Sequence, residues 1–200
     1  ALSFEKDGDR LSQLGEEQAR ALARYWVRQG VNFDEVYSGA LVRQRRTAEI
    51  AEEYFVQSGL AWPRLRTMPE LNEYDATGII NNLVPSLAER DAEFRALAEA
   101  FERNRDAPER NRHFQKMFEA VTSVWLGGEF EVEGVESWRS FQSRVRAAIK
   151  RITSAEGRGR RVAVFTSGGV IGLAVQNVLN APECSALEIN WRVRNCTLTE

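Results

Sequence analysis

The chain has 200 residues, 43% of them apolar, and a formal net charge of -2. That length carries one sizeable core, or a core with a helical cap laid over it, and the near-neutral balance excludes a protein held on nucleic acid or anionic lipid by bulk electrostatics. No apolar run approaches the roughly 20 residues a membrane helix needs and the first residues lack the pattern of a signal peptide, so a cytoplasmic protein is expected, with neither nucleic acid nor membrane as partner.

In chain order, Ser12 is placed to cap an amphipathic helix over 12–29, with Leu14, Ala19, Leu22, Ala23 and Trp26 on its apolar side and Gly30 closing it. A short strand over 33–38 follows, then a helix over 41–57 that turns Ala48, Ile50, Ala51 and Phe55 inward, then a second strand over 63–68. Leu87, Phe94, Leu97 and Phe101 recur at helical spacing over 86–103, and Phe114, Met117, Phe118, Val121 and Trp125 do so again, with a polar connection over 104–112 between them. A further helix after Glu136 carries Trp138, Phe141, Val145, Ile149 and Ile152 on one side. A strand over 161–166, a helix over 170–180 and a last strand near 189–199 complete the pattern. Alternating strands and helices imply an α/β fold: a three-layer α/β/α sandwich around a mostly parallel central sheet, interrupted by a helical cap insertion over 86–130. The aromatic stripes are read as core. Cys184 and Cys196 lack metal-type spacing and are expected as reduced thiols.

In open α/β sheets a ligand sits beyond the carboxyl ends of the strands, which singles out three segments. After the first strand, Arg43, Arg45 and Arg46 crowd the start of a helix. Arg43 and Arg46 are neighbours on that helix, and a guanidinium there adds to the positive end of the helix dipole, a setting for phosphate or carboxylate; a solvated charged face is the competing reading. After the second strand, Glu70 and Glu73 offer carboxylates for proton transfer, or are ordinary loop acids. After the third, the Phe165-Thr166-Ser167-Gly168-Gly169 turn offers the amides of Gly168, Gly169 and Val170 and the hydroxyls of Thr166 and Ser167 to an anion, or merely lets a helix pack closely on the sheet.

Taken together, Leu11 to Ala19, Tyr37 to Arg43 with Thr47 and Ala48, Leu71-Asn72-Glu73, Gly134 to Trp138, Val164 to Gly169 and Asn195-Cys196-Thr197 resemble the histidine phosphatase superfamily, to which cofactor-dependent phosphoglycerate mutases belong. The resemblance spans nearly the whole chain, read as one domain over 1–200. It implies a phosphomonoester hydrolase acting through a phosphohistidine, in which Arg43 clamps phosphoryl oxygens, Glu73 is acid and base, and Ser167 and Gly168 bind phosphate. It implies no metal and no cofactor, and as substrate a phosphorylated small molecule or phosphoprotein. Arg103, Arg105, Arg110, Arg112 and Lys116 are either contacts for a second anionic group or a solvated face; oligomeric state is left open. The sequence departs from the family twice. The Arg-His-Gly triplet that carries the nucleophile is not in the chain, which leads to the expectation of a longer protein, incomplete here at both ends, since a sheet without its central first strand exposes unpaired backbone groups. Ser167 also stands where the family has a second histidine, bringing one neutral donor and no charge, which favours a phosphate-binding pseudoenzyme as the alternative; a mutase-like phosphotransferase and an α/β domain whose arginines merely solvate its surface are the remaining readings. His113, the single histidine, is read as an exposed cap residue.

Overall fold

The computed structural model describes residues 9–128, 133–157 and 159–200. The chain divides into two compact units, one made of the residues up to Glu73 together with Arg144–Glu200, the other of Tyr74–Ser143.

In the first unit, α1 (Gln13–Arg28) starts where the Ser12 side chain accepts a hydrogen bond from the Gly15 amide at 3.1 Å, and it ends in a turn at Gly30, whose φ of +64° suits a residue without a Cβ. Ala19, Ala23 and Trp26 are buried as expected, but Leu14 is 62% exposed. At about 100° per residue Leu14 falls roughly 140° from Ala19, off the buried stripe, and Gly15 takes its place there. β1 (Glu35–Ser38) is the middle strand of a parallel sheet of order β2-β1-β3, with β2 (Leu65–Thr67) and β3 (Val162–Phe165) on either side. Val36 lies opposite both Leu65 and Ala163, and Ser38 opposite Thr67 and Phe165. β1 is thus paired along both edges. Helix α2 (Val42–Gln57) buries Ala48, Ile50, Ala51 and Phe55. Trp26, Phe33, Phe55, Trp62 and Phe165 close the core around Val36, with ring centroids 4.7 Å apart for Phe55 and Trp62 and 5.0 Å for Trp26 and Phe33.

After β3 the chain enters α7 (Gly168–Leu179) and then α8 (Cys184–Asn190), which pack closely: a Cβ on Gly172 would lie 2.1 Å from the Ala186 carbonyl oxygen. The strand expected near 189–199 is not formed. Asn190 ends a helix, Val193 N–H bonds back to Ile189 O at 3.0 Å, and Cys196 has a φ of +56°, so this segment turns instead of extending. Cys184 and Cys196 are free thiols, and burial pushes the Cys196 pKa up.

The second unit holds α3 (Ala76–Arg90), α4 (Ala92–Arg103), α5 (Arg110–Gly127) and the first turns of α6 (Trp138–Thr153), and the insertion expected over 86–130 falls inside its bounds. The helix expected from 86 to 103 is two helices. Asp91 ends α3 and caps α4, accepting from the Glu93 and Phe94 amides at 2.8 and 3.1 Å. α3 begins ten residues before the expected start, because Ile79, Leu83 and Leu87 are buried along one side and this burial overrides a stretch rich in Gly, Asn and Pro. Tyr74, Trp125, Trp138 and Phe141 form an aromatic cluster, fixed by Trp125 Nε1 donating to Glu136 O at 2.7 Å. His113 lies in this unit, near the start of α5. No helix among the described residues is long and apolar enough to cross a membrane.

Candidate functional site

The carboxyl ends of the three parallel strands lie side by side, so the segments that follow them meet. Gly39 N–H, just past β1, donates to Phe165 O at 3.1 Å, and Met68 N–H, just past β2, donates to Ser38 O at 2.8 Å. A 3-10 turn over Pro69–Leu71 then delivers Leu71, Asn72 and Glu73 to the ends of the other two strands. Asn72 Oδ1 accepts from Ala40 N–H at 2.6 Å. Leu71 O accepts from the Thr166 hydroxyl at 2.7 Å and from Gln44 Nε2 at 3.2 Å. Arg144, in α6, fixes the same segment from behind by donating to Glu70 O and Asn72 O, both at 2.8 Å, and to Glu73 O at 3.4 Å.

Two helix N-termini open onto this assembly, and each holds a carboxylate of the chain itself. At α2, whose cap residue Leu41 has no capping side chain, Asp9 supplies the acceptor: Oδ2 takes Val42 N–H at 2.7 Å, and Oδ1 takes Arg43 N–H at 3.4 Å and the Arg43 guanidinium at 2.9 Å. At α7, Glu73 Oε2 accepts from Gly169 N–H at 3.0 Å. Both pairings follow from the unsatisfied amides and partial positive charge of a helix start, which draw the nearest anion.

The sequence-derived candidates are distributed as follows. Glu73, Ser167 and Gly168 lie together where β2 and β3 end. The first turn of α2, which carries Arg43, is joined to the α7 cap because Gln44 Nε2 donates to Ser167 Oγ at 2.9 Å. Arg43 itself is turned toward Asp9, with about a third of its side chain exposed. Arg46 is not part of this group: it pairs with Glu53 at 2.7 Å, Glu49 at 3.5 Å and Glu16 at 3.7 Å, and these partners, foremost the Glu53 hydrogen bond, push its pKa up. Arg45 is exposed. The solvated-face reading therefore describes Arg45 and Arg46. Thr166, expected as a hydroxyl donor to an anion, spends its proton on Leu71 O, and the Gly169 amide faces Glu73. Gly168 is held against α8, where an added Cβ would lie 2.4 Å from Asn190 Oδ1.

Sequence reasoning passed over Asp9, Gln44 and Arg144. Asp9 and Gln44 act over separations of 33 and 123 residues, for which neither periodicity nor a local motif gives a signal. A polar Gln on the inward side of α2, beside the buried Ala48 and Ala51, was the one legible hint.

Beyond the opposite end of β1 lies a second charged group. Glu35 takes Tyr37 OH at 2.5 Å and Arg66 at 2.8 Å, and is held by Arg160 through both Nε and Nη2. The Tyr37 hydrogen bond, then Arg160 and Arg66, hold its carboxyl below the usual range.

A parallel sheet flanked by helices, with two helix N-termini gathered at its carboxyl edge, places the chain among the α/β proteins. Within that class the assignment is direct, because the sequence profile described as "Histidine phosphatase superfamily (branch 1)" matches residues 5–125 and 105–200: the chain belongs to that superfamily. Among similar solved structures is the alpha-ribazole phosphatase from Shigella flexneri, at 20% identity over 90% of this chain and 72% of that one, with a TM-score of 0.54. A mycobacterial glucosyl-3-phosphoglycerate phosphatase in complex with inorganic phosphate matches at 21% identity over 88% and 72%, with a TM-score of 0.53. The phosphoglycerate mutase from Bacillus anthracis matches at 20% over 84% and 67%, with a TM-score of 0.51. At these identities the likeness is one of fold. A comparison with curated protein sequences gives no match.

Proposed function

We propose that the protein is a phosphomonoester hydrolase of the histidine phosphatase type, whose phosphoryl group sits between the N-termini of α2 and α7. The observation that carries this reading is the pair of carboxylates, Asp9 and Glu73, already seated on those helix starts: donors that hold a monoanionic carboxylate suit a phosphate dianion better still. In this reading Arg43 leaves Asp9 and forks onto the phosphoryl oxygens, while Ser167 donates one neutral hydrogen bond.

The reaction runs in two balanced steps. A histidine, supplied in this reading by a segment ahead of residue 1, attacks phosphorus through a ring nitrogen. The P–O ester bond breaks, and the leaving oxygen takes a proton from Glu73. Water then attacks the phosphohistidine, its proton passing to Glu73, and phosphate leaves as the N–P bond breaks. In this reading Glu73 is positioned for both proton transfers by the Arg144 guanidinium, which donates to its backbone oxygen, and by the Gly169 amide, which donates to its carboxylate. The substrate is proposed to be a phosphorylated small molecule or phosphoprotein.

The test is hydrolysis of p-nitrophenyl phosphate by the protein carrying its natural upstream segment, beside Arg43→Ala and Ser167→His. Slow turnover is expected, abolished by the first change and raised by the second, since one preorganised donor is worth about 10² to 10³ in turnover. Ser167 favours a second reading, a phosphate-binding pseudoenzyme. Phosphate that raises the unfolding midpoint with no turnover in any variant selects that reading, and neither turnover nor a raised midpoint rejects both.

A further inference from the structure

The Gln44 amide has a fixed orientation. Leu71 O is an acceptor only, so the atom 3.2 Å from it must be Nε2, and the second proton of the same nitrogen is directed at Ser167 Oγ, 2.9 Å away. Ser167 therefore accepts from Gln44 and cannot also donate to it. Nor does that proton have an acceptor among the described residues: the one hydrogen bond of Ser167 Oγ there is the one it accepts from Gln44, and the side chain, though at the cap position of α7, takes no amide of that helix. The proton is left for a ligand.

Space for this arrangement is made by Gly39. A Cβ there would fall 1.9 Å from Gln44 Oε1 and 2.8 Å from Leu71 O, closer than any real side chain sits, so the glycine is required by the amide and not by backbone conformation. Gln44 is 3% exposed, and its Oε1 has no hydrogen-bond partner among the described residues, so the residue is not placed here to complete its own bonding. A buried glutamine left half-satisfied is costly to keep, whereas an apolar side chain in the first turn of α2 would cost nothing of the kind.

We infer that Gln44 is a positioning residue that polarises Ser167 into a one-way hydrogen-bond donor toward the bound phosphoryl group, the two side chains together replacing the donor function of the family's second histidine. The inference rests on the phosphate-site reading above and assigns a role to a residue 123 positions from the one it orients. A hydroxyl that must accept from an amide presents its proton, not a lone pair, to the anion, so the ordering of one rotor decides whether Ser167 attracts phosphate or is neutral to it.

The experiment is a double-variant cycle on the affinity for inorganic phosphate, with orthovanadate as a second probe, read by calorimetric titration and by the ligand-dependent rise of the unfolding midpoint. Gln44→Met is expected to raise the phosphate Kd about tenfold, and Ser167→Ala by a similar factor. With Ser167→Ala already present, Gln44→Met should change Kd less than about twofold. Should Gln44→Met fail to fold, the isosteric Gln44→Glu serves in its place: the Ser167 hydroxyl must then donate to the new carboxylate, and the loss of affinity should be smaller when Ser167→Ala is combined with it. A wild-type protein that binds phosphate, with the two losses simply multiplying, overturns the role of Gln44 alone. A wild-type protein with no affinity for phosphate or orthovanadate overturns the site and this role together.

Discussion

Asp9→Asn is expected to weaken the fold and strengthen the ligand, an opposition that separates a rival anion from a mere helix cap. Asparagine keeps one oxygen, enough to accept the Val42 amide at the start of α2, and gives up the charge together with the long 3.4 Å contact to the Arg43 amide. The favourable placement of that charge at a helix start is worth about 0.3–1 kcal/mol. The ion pair with Arg43, with side chains 31% and 38% exposed, adds no more than the roughly 0.2–1 kcal/mol of a screened surface pair. About 1 kcal/mol in total lowers the unfolding midpoint of a chain this size by roughly 2–4 °C in phosphate-free buffer. Phosphate changes the sign. A dianion entering the same amides and guanidinium no longer has to displace a like charge, and a tenfold gain in affinity is the expected order. At a phosphate concentration about 100 times the wild-type Kd, the wild type gains about 2.7 kcal/mol and the variant about 4.1 kcal/mol. The phosphate-induced rise in midpoint should therefore be larger in Asp9→Asn by about 3–5 °C. Differential scanning calorimetry with and without phosphate reads both effects, and an equal or smaller rise in the variant refutes the view that Asp9 and the ligand compete for one set of donors.

Arg144→Met should lower both stability and phosphatase turnover, because three main-chain oxygens of the Glu73 segment lose their donor; kinetics showing kcat unchanged while the midpoint falls would confine Arg144 to stability. Gly172→Val should destabilise by about 1–3 kcal/mol in denaturant titration, since the new Cβ meets Ala186 O at 2.1 Å and α8 must move; an unchanged midpoint would mean α8 is not seated on α7. Glu35 sets a pH dependence. Its folded pKa lies below the unfolded one, so its contribution is complete above about pH 4.3, the unfolded value, and is lost as pH falls through the folded value. Glu35→Gln should flatten the acid limb of the stability profile relative to wild type, and parallel limbs would count against the Tyr37, Arg160 and Arg66 contacts as its cause.

Where the fold follows from neighbours in sequence, the residues announced it. The Ser12 cap, the Gly30 turn and the inward row from Ala48 to Phe55 all depend on spacings of a few positions. α3 was hidden because its Gly, Asn and Pro content argues against helix, and only burial of Ile79, Leu83 and Leu87 in the folded unit supports it. The final segment has the apolar look of a strand but finds no sheet partner, and hydrogen bonds turn it back toward α8. At the candidate site, Arg43, Glu73, Ser167 and Gly168 stood out because strand ends are where ligands gather. What each of them touches was not legible: Arg43 on Asp9, Glu73 on Gly169 and Ser167 under Gln44 are facts of three-dimensional proximity between distant segments.

The segment from Glu70 to Glu73 is anchored mainly through its carbonyl oxygens, which receive Gln44, Thr166 and Arg144. Every amino acid carries such an oxygen, so this ledge can change its side chains over generations while keeping its position. Adding or deleting a single residue there would put all of these anchors out of step at once. Variation in length, far more than variation in identity, is what this part of the molecule is built to resist.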